Sequence, residues 1–484
     1  MLKRLPAFVL ILAVLTSCVP ATPTAAPVFT ATSTFETAPV NWWKDAVFYE
    51  IFVRSFYDSD GDGIGDFNGI TAKLDYLNDG DSATDTDLGI TGIWLMPIFP
   101  SPSYHGYDVT DYYGVNPQYG TMDDFKTLVS EAHERGIHIV IDLVVNHTSD
   151  QHPWFKDAKR NVSSPYRDWY IWSETKPDYE GPWNQNVWHS STTGFYYGIF
   201  QPFMPDLNYE NPEVTSEMTK VYSFWLKDVG VDGFRLDAAK HLIEEDALQQ
   251  NTDATHAWYQ QMYPVYKAMN PNAMTVGELF GDSMSVASNY IEDQEFDMIF
   301  NFQLATTILK SVQAGRARTT SQMVDTSNKF LPEFQYAPFL TNHDQNRVMN
   351  QLGNDINKAR VAASVMLTTP GTPFIYYGEE IGMSGAKPDE NIRRPMQWSA
   401  DDNASFTTGK PWRALDTNFT DINVEQQDSD PGSLLSHYRI LIQTRAAHEA
   451  LRTGQYYIVK SNVPQVYAAL RVSGDETILV LVSL

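Results

Sequence analysis

The chain has 484 residues, enough for one large domain with smaller additions, and its 43% hydrophobic and 19% charged residues give a globular balance. A net charge of −26 argues against nucleic acid as a partner, because holding phosphates takes basic patches, and it suits a neutral substrate. Cys18 is the single cysteine, so no intrachain disulfide forms, and aromatics reach 13%, which fits sugar stacking and an ordinary core equally well.

The chain opens on basic MLKR and the apolar run LPAFVLILAVLTS, too short to span a membrane. LTSC, ending at Cys18, resembles a bacterial lipobox, in which the cysteine becomes the lipidated first residue of the mature protein. An ordinary signal peptide that contains a cysteine is the alternative. Residues 1–18 therefore read as a leader, and residues 19–40, rich in Thr, Ala and Pro, as a flexible tether. The expectation is an exported monomer, held at the cell surface by a lipid anchor or secreted, with no other membrane contact.

From Asp45 onward, strand-like apolar runs alternate with amphipathic stretches. DAVFYEIFVRSF is a first strand, followed by a Gly/Asp-rich loop and a helical patch at ITAKLDYL. ITGIWLMPIF is a second strand, DDFKTLVSEAHERG a helix with Gly136 as its stop signal, and HIVIDLVVNH an apolar third strand of the kind buried on both faces. VDGFRLDAA, AMTVGEL, DMIFNF, APFLTNHD and TPFIYYGEE complete eight strands with helical segments between several of them. Eight such units predict a (β/α)8 barrel over 41–147 and 208–451. Between them, residues 148–207 are rich in Trp, Tyr, Pro, Gly and Asn, too long for a loop, and read as an inserted domain. After a closing helix, GQYYIV, VYAALRV and ETILVLVSL predict an antiparallel C-terminal β-domain over 452–484, which reads as cut short at Leu484.

Within GFRLDAAKH, Arg235 and Asp237 share one strand face while Phe234 and Leu236 take the other. Charges are rarely buried unless paired or used. Barrel enzymes carry their chemistry at the C-terminal ends of the strands. There the third strand places Asp142, Asn146 and His147, the fourth Arg235, Asp237, Lys240 and His241, the fifth Glu278, and the seventh His343 and Asp344. Three of these carboxylates, Asp237, Glu278 and Asp344, would converge on one rim and repel, so one can hold a proton while another stays an anion, as cleavage of a glycosidic bond requires. DSDGDGIGD sets Asp58, Asp60, Asp62 and Asp66 at loop positions 1, 3, 5 and 9, with the Ile64 carbonyl at 7, a calcium-loop pattern that lacks the Glu of an EF-hand at position 12. A solvated acidic turn is the bland alternative.

DLVVNH, GFRLDAAKH, the Glu of VGEL, FLTNHD and the insert motif MPDLN together resemble the alpha-amylase family, glycoside hydrolase family 13, from about Asn41 to the end. The resemblance is to bacterial alpha-amylases intermediate between oligo-1,6-glucosidases and neopullulanases. It implies an endo-acting hydrolase of α-1,4-glucans, with Asp237 as nucleophile, Glu278 as general acid/base and Asp344 holding the sugar hydroxyls. Arg235 would keep Asp237 ionised, His147 and His343 would bind hydroxyls, and Tyr107 would stack beneath the sugar with His105 beside it. Lys240 and Arg393 complete the implied substrate set. A calcium after the first strand agrees with the loop pattern. A second, at Asn146, Asp206 and the His241 carbonyl, occurs in only some relatives. IRRPMQW retains the Arg of an exo-acting clamp as Arg393, but Tyr104 stands where its acidic partner belongs. An exo-glucosidase or a transglycosylase of the same family is the alternative.

Overall fold

A computed structural model describes residues 41–245 and 247–484, so the leader and tether readings lie outside the described residues. Its strands in chain order are β1 (Phe48–Ile51), β2 (Gly92–Leu95), β3 (His138–Leu143), β4 (Trp172–Ser173), β5 (Trp188–Ser191), β6 (Gly194–Tyr197), β7 (Gly233–Leu236), β8 (Met274–Gly277), β9 (Met298–Phe300), β10 (Tyr336–Ala337), β11 (Phe374–Tyr376), β12 (Gln455–Ile458), β13 (Val466–Ser473) and β14 (Glu476–Ser483). Eight of these pair in parallel in the order β10-β9-β8-β7-β3-β2-β1-β11. The two outer strands meet through Thr372 N–H to the Tyr336 carbonyl at 3.1 Å and Phe374 N–H to the Pro338 carbonyl at 2.9 Å, which closes the barrel.

Side-chain alternation sorts the barrel into two cores. Tyr49, Ile93, Ile141, Phe234, Leu236 and Ile375 point outward and pack with apolar residues of the surrounding helices. Phe48, Trp94, Phe300 and Phe374 fill the inside, where Phe48 stacks on Phe374 at 4.4 Å and Trp94 meets Phe300 at 5.3 Å. Residues two positions further along the strands share the inward face one layer higher. Glu50, Asp142 and Arg235 form that layer, and Asp142 pairs with Arg235 in the register of β3 and β7. The apolar plug below keeps water from reaching these charges from the barrel's other end.

Between β3 and β7 the chain leaves the barrel and forms the antiparallel sheet β4-β6-β5. It is tied back by bridges between His147 and Asp206 and between Tyr170 and Leu207. The helix Pro212–Ser223, opened by Pro212 and capped by Asn211, then runs into a short π-helical turn, Phe224–Val229, that ends at Gly230. β12-β13-β14 form the antiparallel C-terminal sheet. It is docked through the buried Arg471, whose Nη1 donates to the Thr368 carbonyl at 2.8 Å. Among the described residues, no helix is long and apolar enough to cross a membrane.

Candidate active site

Three of the four carboxylates predicted at the strand ends, Asp142, Asp237 and Glu278, meet around one guanidinium. Arg235, 1% exposed, donates through Nη1 to Asp237 Oδ1 at 2.6 Å and to both oxygens of Asp142 at 2.8 and 2.9 Å. Its Nη2 donates to Glu278 Oε2 at 2.7 Å. Two carboxyls bonded to adjacent nitrogens of one planar group lie side by side. The backbone helps, because Ala238 adopts a left-handed conformation (φ 49°), uncommon for a residue with a Cβ, directly after Asp237. Its N–H lies 3.3 Å from the same Glu278 oxygen.

Electrostatics separates the groups. Burial pushes Glu278 up to about 7; the Arg235 charge pulls it down, but Asp237 and Asp344 push in the same direction as burial. Burial also lifts Asp142, yet with both oxygens accepting from Arg235 that carboxyl is an anion. Asp344 stands half exposed in the cleft. Burial raises it, but the neighbouring His343 and Arg393 outweigh that and hold it at about 2. Since burial keeps His343 itself neutral, with a value near 3, Arg393 is the partner that matters, its Nη2 donating to Asp344 Oδ1 at 2.8 Å.

The Tyr107 hydroxyl donates to Asp142 Oδ2 at 3.0 Å and contacts His343 Nε2 at 2.7 Å, and its ring lies nearly parallel to that of His343. His105 stacks beyond it at 6.1 Å. His147 lines the cleft, but its Nε2 is bonded to the Tyr107 carbonyl at 3.1 Å. Lys240 also lines the cleft, and its ammonium donates to the Phe280 carbonyl at 2.7 Å, fastening the loop after β8 to the loop after β7. Arg393 is buried, bonded to the His343 carbonyl at 3.0 Å and 3.5 Å from Asp389. Tyr104 lies beneath it and stacks on Trp412 at 5.4 Å, so no carboxylate occupies that position.

Asp237, Glu278, Asp344, Tyr107, Lys240 and Arg393 are among the residues lining a cavity of about 490 Å³ whose rim is aromatic. Trp183, 53% exposed, leans on Phe200 and His241 at 5.7 and 5.5 Å, and Phe280, 57% exposed, faces Phe302. Sequence reasoning missed these rim aromatics and Glu50, and it placed Asp142 at the strand end without its pairing to Arg235. Trp183 and Phe200 stand on irregular loops with no periodicity to mark them. Asp142 was signalled as a charge inside the apolar run HIVIDLVV.

The acidic loop brings together three of its four predicted carboxylates. Asp58, Asp60 and Asp66 each place an oxygen within 4.8 Å of the others. Asp62 is not among them: it is exposed, and its Oδ1 accepts the Ile64 N–H at 2.7 Å in a local turn. Gly63 sits at φ 96° with the Lys410 carbonyl where a Cβ would be, so only glycine fits. At the insert junction, Asn146 Nδ2 donates to the buried Asp206 at 3.1 Å, while Asn146 Oδ1 is buried with no hydrogen-bond partner among the described residues. Burial pushes Asp206 up to about 8. An orphaned oxygen beside a buried carboxyl suits a cation. His241, the third predicted ligand, follows β7 and bonds through Nδ1 to the Gln249 carbonyl at 2.8 Å.

Comparison with known proteins places this arrangement. The family description "Alpha amylase, catalytic domain" matches residues 50–454. The chain is similar to Alpha-amylase 3 of Dictyoglomus thermophilum, 43% identical over 444 residues that cover 91% of this chain and 85% of the relative. It is also similar to an oligo-1,6-glucosidase of Parageobacillus thermoglucosidasius, 35% identical with 91% and 90% covered. Among solved structures, the alpha-amylase of H. orenii superposes with a TM-score of 0.84 at 46% identity, covering 90% of this chain and 89% of that one. The trehalulose synthase MutB gives 0.82 at 33%, covering 91% of each.

Proposed function

The chain belongs to the alpha-amylase family of glycoside hydrolases, and within it we propose a retaining, endo-acting enzyme that hydrolyses α-1,4-glucosidic bonds of starch, glycogen and malto-oligosaccharides. The observation that carries this reading is the single Arg235 guanidinium bonded to Asp237 at 2.6 Å and to Glu278 at 2.7 Å. Adjacent carboxyls suit the two-step retaining route, which needs the pair only about 5–5.5 Å apart.

In the first step Asp237 attacks the anomeric carbon through Oδ2, the oxygen not engaged by Arg235, and the bond to the leaving oxygen breaks as Glu278 protonates it. Glu278, now an anion, then takes a proton from water. The hydroxide oxygen bonds to the anomeric carbon and the ester to Asp237 breaks, so the configuration is retained. Asp344, fixed by Arg393, accepts sugar hydroxyl protons beside the reacting ring, and Tyr107 supplies the ring face beneath it.

Endo action rests on the non-reducing side of the cleft. A closing clamp there needs a carboxylate at Tyr104, and Arg393 is already committed to Asp344, His343 and Asp389. The exposed Trp183 and Phe280 extend the cleft beyond one sugar. On long amylose, iodine staining is expected to fall well before free glucose accumulates. Trp183→Ala should raise KM for long chains about five-fold, about 1 kcal/mol of lost stacking. Early release of mostly glucose would show an exo-acting enzyme instead.

Calcium completes the proposal, at Asp58, Asp60 and Asp66 and at Asn146 and Asp206. Bound there, the ion supplies positive charge that neutralises clustered carboxylates and ties loops to the barrel, away from the bond being cleaved. Chelation with EGTA is expected to lower the melting temperature. A hundred-fold excess of ion over its Kd contributes about 2.7 kcal/mol. Asp58→Asn and Asp206→Asn separate the two sites. An unchanged melt, with no calcium found by metal analysis, would remove both. Surface anchoring through Cys18 belongs to the same reading and rests on LTSC alone.

A further inference from the structure

We propose that Glu50 is a positioning residue of this site: it keeps a proton, donates it to His343 Nδ1, and thereby fixes His343 with its Nε2–H toward Tyr107 and Asp344. The inference rests on the reading of Asp237, Glu278 and Asp344 given above. Glu50 lies on β1, 2% exposed, beside Trp94 and Tyr376 in the barrel register, and the bond-cleaving steps do not use it. Its Oε1 is 2.6 Å from His343 Nδ1.

Counting protons along the chain of contacts decides who donates. Arg235 donates to both oxygens of Asp142, which is therefore an acceptor. Tyr107 has one hydroxyl proton, and it goes to Asp142 Oδ2 at 3.0 Å. The Tyr107 oxygen, 2.7 Å from His343 Nε2, then accepts, so that nitrogen carries hydrogen. The Asp344 carboxylate, with Oδ2 3.3 Å from the same nitrogen, favours hydrogen there as well. In a neutral ring Nδ1 is then bare and needs a donor, and Glu50 is placed to be one.

The surroundings agree. Burial raises Glu50 well above the carboxylate range; the Arg235 charge and the His343 backbone N–H act against this, while Asp344 and Asp142 push the same way as burial. Burial equally opposes an imidazolium at His343. The other tautomer would turn a bare Nε2 toward the Asp344 carboxylate and claim the Tyr107 proton from Asp142. Glu50 thus acts through His343, on the hydroxyl-binding side of the sugar, without touching substrate.

The test uses the full chain labelled with ¹⁵N-histidine, with the His343 ring signals identified by their loss in His343→Gln. A bare Nδ1 and protonated Nε2 are expected in wild type and in Glu50→Gln, whose amide also donates. A mixture of tautomers is expected in Glu50→Leu. On malto-oligosaccharides, kcat should fall about 10²-fold in Glu50→Leu with a much smaller change in KM, and Glu50→Gln should restore most of it. A protonated Nδ1 with a bare Nε2 in wild type overturns the proposal, as does a Glu50→Gln enzyme as slow as Glu50→Leu. If Glu50→Leu does not fold, the wild-type spectrum and Glu50→Gln still decide. Failure of the underlying reading looks different: Asp237→Asn would keep its activity whatever the tautomer of His343.

Discussion

Asp237→Asn is expected to lower kcat/KM on malto-oligosaccharides by about 10⁴-fold, a loss of about 5.4 kcal/mol of transition-state stabilisation. The amide oxygen still accepts from Arg235, so the fold is kept, but an uncharged amide is a poor nucleophile and cannot form the glycosyl ester. The partner has its own signature. With Glu278 pushed up to about 7, the leaving-group proton is present below that pH and lost above it, so the wild-type rate should fall as pH rises through the neutral range. Glu278→Gln should lower the rate by about 10²–10⁴-fold and remove that alkaline limb. Profiles of kcat/KM from pH 4 to 10 measure both. An Asp237→Asn enzyme with more than a few per cent of the wild-type rate, carefully freed of contaminating amylase, ends the retaining mechanism.

The alkaline limb originates in a pattern visible along single strands. Period-two alternation in GFRLDAA puts Arg235 and Asp237 on one face, and the barrel turns that face inward and upward. Largely apolar runs such as HIVIDLVV mark barrel strands because both faces are buried, and the alternation of such runs with amphipathic stretches made the eight strands readable. What a single strand does not carry is register. That Asp142 lies opposite Arg235 depends on how β3 slides against β7, across 93 residues and a whole intervening sheet. Glu50 and His343, separated by 293 residues, meet for the same kind of reason. The acidic loop is the opposite case, since its carboxylates are neighbours in sequence. Even there, Asp62 turned out to cap its own turn.

Arg235→Met is expected to cost about 3–5 kcal/mol of stability and essentially all activity. The side chain is similar in length and apolar, so no large cavity opens and the loss is electrostatic. Without the guanidinium, Asp142, Asp237 and Glu278 face one another with no cation between them. Buried carboxylates left unpaired take up protons. Glu278 is raised to about 7 even with Arg235 present, and removing the guanidinium lifts both it and Asp142 further. A carboxyl raised in the folded state binds protons more tightly there than in the unfolded chain. Its cost is therefore absent below ordinary carboxyl values, about pH 4, and grows as pH rises through 7 and beyond. The gap in melting temperature between wild type and Arg235→Met should thus be distinctly larger at pH 8 than at pH 5. Arg235→Lys restores the charge but not the two-pronged geometry, since one ammonium cannot hold Asp237 and Glu278 on separate nitrogens. It should recover most of the stability and little of the rate. Equal melting gaps at both pH values, or a fully active lysine variant, would mean that the three carboxyls are not organised by this guanidinium.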